Sequence, residues 1–298
     1  MLKFAKSKFS GDLKARQSSF FTIEEFALQM TDSVLEDPID LLFEAYACFK
    51  EVDPNTDFDR FATWGQMMLK DFDTLDLYLV DPSSLFTFLS EAKSIERWGQ
   101  EYGQEQADTW ITPNTQAYFK LYDSLLEVYI RLKSRLEVKG TTYRGLAYRK
   151  LVELLEAGKS LGFKQIYFVG FNALSKSEET IIRLLLRENV AQTLWDADEY
   201  YVKNKHHRAG NWLRDYANPA NPAYLSRGPF HWMERDLVDK PKQVEIVGLA
   251  NPSAQIFVAL EQIRAWQAEH GDLEQVALVL GDESLLDSLL PYLGEFKD

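Results

Sequence analysis

The chain has one cysteine, Cys48, among 298 residues, so no disulfide can form within it. Such scarcity is typical of a reducing compartment and predicts a cytoplasmic protein. Cys48 falls on the apolar face of a predicted helix, which favours a buried, inert thiol over a nucleophile. No stretch approaches the roughly 18 apolar residues of a membrane span, and the first residues lead into a basic segment. We therefore expect no membrane partner.

Phosphate-binding loops are also missing. The sequence contains neither GxxxxGK[ST] nor GxGxxG, the glycine-rich turns that hold phosphates at the start of a helix. This argues against an autonomous ATPase or a dinucleotide-dependent dehydrogenase. No nucleophile paired with a base stands out either, which makes a free-standing small-molecule enzyme the weakest interpretation. We expect no cofactor and no catalytic residue in this chain.

Metal-ligand patterns are poor as well. His206 and His207 lack a third ligand at suitable spacing, which favours a surface pair. The acids Asp196, Asp198 and Glu199 follow a predicted strand, where a solvated strand end is the better interpretation. We expect no metal site.

A loose nuclease pattern is present in Asp123 followed by Glu137 and Lys139. Both parts lie on one predicted helix, roughly 20 Å apart at about 1.5 Å per residue, so they cannot converge on a metal ion. We treat this match as coincidence.

Positive charge is scarce overall but locally concentrated. The formal net charge is −13. Residues 20–130 hold six Lys and Arg against 22 acids, whereas residues 131–163 hold eight against three. A broad nucleic-acid surface would usually be basic, so any DNA contact should be weak and local. A solvated helix face beside an acidic neighbour is the alternative. The predicted DNA-binding residues are Arg131, Arg135, Arg144, Arg149 and Lys150.

Residues 30–160 read as an all-α block. Helix starts are indicated by the capping box Thr22 to Glu25, by Asp37-Pro38, by Asp81-Pro82 and by Pro113. The last of these opens the longest helix, whose apolar residues recur at steps of three and four and demand a packed partner. That seam is Tyr118, Tyr122, Leu125, Tyr129, Leu132 and Leu136.

Residues 164–201 read as strand, turn, helix, strand, the repeating unit of a doubly wound α/β fold. Ile166 to Val169 form the first strand, and a capping box at Ser175 to Glu178 opens the helix. The next strand starts at Thr193. An ATPase would carry magnesium-binding acids where the first strand ends, but this chain has Gly170, Phe171 and Asn172 there.

Residues 218–241 form a polar stretch that reads as a linker. The sequence after it predicts a second α/β region. Residues 244–248 and 276–280 are predicted strands, with predicted helices over 253–269 and 283–292. Two strands are too few to bury both faces of a parallel sheet. Either they dock onto the first sheet or the natural protein continues into further strands.

Five blocks in this order resemble the AddB-like proteins of Bacteroidetes, and together they span nearly the whole chain. The blocks are residues 61–80 (FATWGQMMLKDFDTLDLYLV), 145–149 (GLAYR), 168–175 (FVGFNALS), 195–201 (WDADEYY) and 276–283 (VALVLGDE). Such proteins combine an inactivated helicase-like region with a C-terminal PD-(D/E)XK nuclease. The resemblance implies a RecA-like (P-loop NTPase-like) parallel sheet remnant with a large helical insertion.

The implied division has four parts: residues 1–29 as the start of the first RecA-like domain, 30–160 as the helical insertion, 161–240 as the rest of that domain with a linker, and 241–298 as the start of a second. Gly170, Phe171 and Asn172 would stand at the degenerate magnesium position. The resemblance implies a non-catalytic scaffold in DNA end processing and recombinational repair, with a helicase or nuclease partner subunit. The alternative is a protein-protein interaction module with an aromatic helical bundle and no DNA role.

Overall fold

The computed structural model describes residues 19–89, 113–226, 233–274 and 276–296. Residues up to Asp239 belong to one compact unit and those from Lys240 to a second. The described chain is mostly helical, with short parallel strands paired in two-stranded sheets. The prediction of a mixed α/β chain with a large helical part is confirmed at this coarse level. None of the described helices is long and apolar enough to cross a membrane.

The block over residues 30–160 is mainly helical, but the prediction that it is all-α is wrong at two short strands, Val34–Leu35 and Thr141–Thr142, which pair with each other. Thr22 and Glu25 make the predicted capping box at the start of the first helix. Asp37 caps the second helix, which begins at Pro38, and its carboxylate accepts a hydrogen bond from the backbone amide of Ile39. The described residues between 58 and 140 contain no strand. The helices are α1 (Ile23–Thr31), α2 (Pro38–Val52), α3 (Phe58–Leu77), α4 (Pro82–Leu89), α5 (Pro113–Lys139) and α6 (Arg144–Glu156).

The predicted strand-helix-strand unit is present. Strand β3 (Ile166–Val169) pairs in parallel with β4 (Ala191–Leu194) across helix α7 (Lys176–Arg187), whose capping box is the predicted one. Strand β4 begins two residues before the predicted start at Thr193, because Ala191 and Gln192 continue the ladder. In the described residues this sheet has two strands.

Two shorter parallel pairs have no counterpart in the predictions. They are β1 (Val34–Leu35) with β2 (Thr141–Thr142), and β5 (Ala197–Asp198) with β6 (Met233–Glu234). Three short helices complete the first unit: α8 (Glu199–Lys203), α9 (Asn211–Ala217) and α10 (Asp236–Asp239), with a 3-10 turn at Arg208–Gly210.

Helix α6 joins two hydrophobic cores. Its Leu146 packs in the core formed by α2, α3, α4 and α5, while Leu151 and Leu155 pack in the core shared with α1, α7 and β3. In the predicted α5 seam, Tyr129, Leu132 and Leu136 are buried and Leu125 is half-buried. Tyr118 and Tyr122 lie outside the described side chains. The two cores are therefore continuous through one helix.

Cys48 is buried on α2, as predicted. Burial raises the pKa of its thiol to about 11. Since the thiolate is the reactive form, the folded protein holds this side chain inert at neutral pH.

The second unit is helical in both segments predicted as helix, 253–269 and 283–292, but contains neither predicted strand. Helix α11 (Pro252–His270) is followed by α12 (Leu285–Leu289) and a 3-10 segment (Leu290–Phe296). Residues 244–248 and 276–280 are not strands in the described part of the chain, so both strand predictions are wrong there. The exposed fractions of Ile246 and Val279 are 92% and 85%. An apolar β-branched run becomes a strand only when hydrogen-bonded neighbours lie beside it.

Helices α3 and α6 approach closely at Gly145. The Gly145 amide donates to the Asp73 carboxylate at 2.6 Å. A methyl group on Gly145 would lie 2.3 Å from the backbone carbonyl oxygen of Asp73. Only a residue without a side chain allows this contact.

Gly145→Ala is expected to destabilise the protein by about 1–3 kcal/mol, the usual cost of overpacking. The sign is informative, because Gly to Ala within a helix ordinarily stabilises by roughly 0.5–1 kcal/mol. Urea denaturation followed by circular dichroism measures the free energy of unfolding. A variant as stable as the parent would contradict the close approach.

Candidate nucleic-acid interface and strand-end site

The basic residues of α5 form a row of ion pairs with acids on and before α2, which we call the charge ladder. Lys139 Nζ lies 2.8 Å from both Glu36 and Glu44, and Arg131 Nη1 lies 2.7 Å from Glu51. Between them, Arg135 pairs with Glu44 and, at 3.8 Å, with Glu51. The ladder consists of the cation row Arg131, Arg135 and Lys139 and the acid row Glu36, Glu44 and Glu51.

The ladder is electrically balanced. Hydrogen bonds from Lys139 hold the pKa of Glu36 and of Glu44 below its usual range, so both carboxylates stay charged at neutral pH. The same bonds raise the pKa of Lys139. Arg131 also pairs with Glu127 on its own helix at 2.5 Å. The basic excess that the sequence places in residues 131–163 is thus met by acids from earlier in the chain.

Three further predicted DNA-binding residues lie on α6. Arg144 is half-exposed and pairs with Asp73 at 3.1 Å. Lys150 Nζ donates to the Ser33 hydroxyl at 3.3 Å. All five predicted residues are engaged by groups of the chain itself, and their contact with DNA stays a prediction.

Arg149, the third, belongs to a buried polar cluster around Asp76, whose side chain is 0% exposed. The carboxylate accepts hydrogen bonds from Tyr129 at 2.6 Å, from Tyr143 at 2.5 Å and from Arg149 Nε. The Arg149 guanidinium also donates to the carbonyls of Leu75 and Val80, at 3.1 and 2.7 Å. Burial, together with the nearby Asp76 charge, raises the pKa of both tyrosines. The Nε and Nη2 atoms of Arg149 are therefore engaged within the protein.

Sequence reasoning missed the Asp76 cluster, although a signal was present. The buried face of α3 runs through Phe61, Gly65, Met68 and Phe72, and Asp76 stands four residues after the last of these. A carboxylate in register with a buried helix face must find donors in the core. The periodicity could therefore have identified Asp76 as a buried charge.

An aromatic side chain packs at the carboxyl end of β3. Gly170 has a φ of 75°, a left-handed conformation that glycine adopts at little cost. Phe171 packs edge-on against Phe168 with ring centroids 6.1 Å apart, and Asn172 is exposed. The three residues lie at the strand end where the sequence places them.

The start of α7, next to that strand end, is occupied by the chain's own groups. The Glu178 carboxylate accepts from the backbone of Ser175 at 2.7 Å, and the Ser175 hydroxyl accepts from Glu178 at 3.3 Å. The Leu174 amide donates to the Tyr216 hydroxyl at 3.3 Å, which lies 3.4 Å from Glu179. A phosphate approaching this helix end would meet two carboxylates, whereas phosphate sites there rely on free amides.

The metal-ligand candidates are spread out or engaged. Asp198 accepts from the amides of Tyr200 and Leu237, at 2.9 and 3.0 Å, while Asp196 is exposed. His207 packs edge-on against Tyr201 with ring centroids 4.6 Å apart. Within the described residues, no group of three or more His, Cys, Asp or Glu could hold a metal ion.

Comparison with protein-family models, curated proteins and solved structures finds no match to this chain. The resemblance to AddB-like proteins therefore stays a prediction from the sequence.

Asp76→Ala is expected to destabilise the protein by about 3–5 kcal/mol, because it leaves the buried Arg149 guanidinium without its counter-charge. Two tyrosine hydroxyls lose their acceptor as well. Glu153→Ala is the matched control, since Glu153 pairs with Lys133 at 3.1 Å but is 51% exposed. Exposed pairs contribute about 1 kcal/mol or less. Thermal or urea unfolding that gave both variants the same loss would contradict the structural role of Asp76.

Proposed function

We propose that this chain is the non-catalytic, helicase-like scaffold portion of an AddB/RecB-like helicase-nuclease acting in DNA end processing and recombinational repair. In this proposal β3, α7 and β4 are a remnant of the first RecA-like domain, α2 to α5 belong to its helical insertion, and the second unit begins another RecA-like domain. Catalysis belongs to other parts of the assembly. A helicase or nuclease subunit is the expected partner.

The observation that carries the proposal is the junction between β3 and α7, where the chain's own side chains bind the start of the helix. A parallel strand-helix-strand unit ordinarily offers its strand ends and helix start to a ligand. Here Phe171 packs at the strand end, and Glu178 and Tyr216 engage the start of α7. The unit is a parallel strand-helix-strand, and the chain's own side chains bind the start of its helix. Such an arrangement supports a role in architecture.

ATP is expected neither to bind tightly nor to be hydrolysed. Phosphoryl transfer depends on a phosphate cradle and on a carboxylate-held magnesium ion, and the sequence provides neither motif. Calorimetry with ATP and Mg²⁺, followed by phosphate release in the presence of DNA, measures both. Micromolar binding or DNA-stimulated turnover would refute the proposal.

DNA binding is expected to be weak, with a Kd on the order of 10⁻⁴–10⁻⁶ M, and to fall with salt. The test variant is Arg131→Gln/Arg135→Gln/Arg144→Gln, which removes three half-exposed cations. Arg149 is left intact because its loss would leave Asp76 uncompensated in the core. The charge-matched control is Lys164→Gln/Lys205→Gln/Arg208→Gln, at three exposed positions outside the predicted patch. Fluorescence anisotropy in which both variants bind equally would remove the patch from the proposal.

A protein-interaction module is the second candidate, and exposed aromatic packing on α2 favours it. Ile39 and Phe43 are 66% and 50% exposed and lie one turn apart. Phe43 stacks on Phe58 with centroids 4.8 Å apart, which holds its ring in place at the surface. A module of this kind would bind no DNA at any salt concentration, and that result separates the two candidates.

A further inference from the structure

The cation row of the charge ladder is arranged so that it could contact the phosphate backbone of a nucleic acid. Arg131, Arg135 and Lys139 recur every four residues, so they share one face of α5 at steps of roughly 6 Å. Their side chains are 41%, 46% and 39% exposed, so each can be approached from solvent. Arginine forks match phosphate oxygens as well as carboxylates. The row could accept a strand of evenly spaced anions.

The seam between α2 and α5 is apolar: Leu42, Ala45 and Phe49 of α2 share a buried core with Leu132 and Leu136 of α5. At one end of the ladder the Arg131 and Glu51 side chains are 41% and 49% exposed, and an exposed pair of this kind adds about 1 kcal/mol or less. The Glu36 and Glu44 side chains are 9% and 17% exposed, so their pairs with Lys139 and Arg135 are partly buried. All three carboxylates cancel the potential of the cation row, and Glu51 is the one whose release costs the fold least.

We propose that the cation row of α5 is a binding surface for the phosphate backbone of single-stranded nucleic acid, and that the acid row occupies it in the free protein as an intramolecular competitor. This inference rests on the proposed function in DNA processing and adds its regulation. Phosphates bind when they displace the carboxylates, so the measured affinity is the intrinsic affinity multiplied by the fraction of molecules in which the row is free. Glu51, with its side chain 49% exposed, is the carboxylate placed to leave first.

The regular spacing favours nucleic acid over an acidic protein. One strand of nucleic acid carries a charge at every residue along a repeating backbone, and three cations on a straight helix face can follow it. Acidic peptides rarely keep such a repeat. A carboxylate polymer therefore serves as a competing probe.

The test variant is Glu36→Gln/Glu44→Gln/Glu51→Gln in the full chain. Asp40→Asn/Asp71→Asn/Glu137→Gln is the control, because it removes the same charge at three exposed positions outside the ladder. Circular dichroism and thermal melting establish that both fold, and Glu51→Gln alone serves if the triple variant does not. Anisotropy with a labelled oligo-dT, titrated from low to high salt, gives the affinity and its salt dependence.

The test variant is expected to bind oligo-dT on the order of tenfold or more tighter than the control, since like charge no longer faces the phosphates. Three phosphate contacts predict a slope of about −2 in log affinity against log salt, at ~0.7 per contact on a single strand. Adding Arg131→Gln/Arg135→Gln/Lys139→Gln should abolish the gain.

Equal affinity of the test variant and the control overturns the inference, as does polyglutamate binding as tightly as oligo-dT. The proposed function fails on other grounds, through ATP turnover or through loss of all DNA binding by the parent chain. If the parent chain binds DNA but neutralising the acid row leaves its affinity unchanged, only this inference is contradicted and the proposed function stands.

Discussion

The structure of the first unit depends on a charge that cannot leave the core. Asp76 ends the buried face of α3, and its carboxylate is bound by groups from α5, α6 and the turn between them. A buried carboxylate without donors would cost several kcal/mol, so the three helices are acceptable only in the arrangement that brings these donors together. Apolar packing alone tolerates many helix rotations, but this bond set does not. The cluster therefore specifies how the bundle is assembled.

The same logic explains the uneven charge along the sequence. Acids dominate residues 20–130 and cations dominate residues 131–163, yet α2 and α5 bring the two populations into register. Charges counted along the sequence indicate a basic segment, whereas in the folded protein these cations lie next to acidic side chains. In this chain, the basic segment that the sequence shows is matched by internal acids, so net charge by segment did not by itself indicate a polyanion site.

Local signals predicted the helices well and the strands poorly. Capping residues such as Thr22, Asp37 and Ser175 bond to groups only a few residues further along the chain, so the local sequence determines where a helix begins. Helices α1, α2 and α7 accordingly start where expected. Strands need partners that are distant in sequence. Residues 244–248 have an apolar β-branched pattern without a ladder, whereas Thr141 and Thr142 have a ladder without that pattern. The strand-end residues Gly170 and Phe171 were locatable, but the pairing of Arg149 with Asp76 required knowledge of three helices.

Helix α6 has a consequence for how the first unit melts. Because one side of it belongs to the core with α3 and the other to the core with α1 and α7, neither core can lose its packing while the other keeps an intact α6. The helical block and the strand-helix-strand region are separate in chain order but share a cooperative unit, so heat or denaturant should unfold them in a single transition. If the chain were cut at residue 160, neither fragment would retain both cores, so we expect neither to be stable alone.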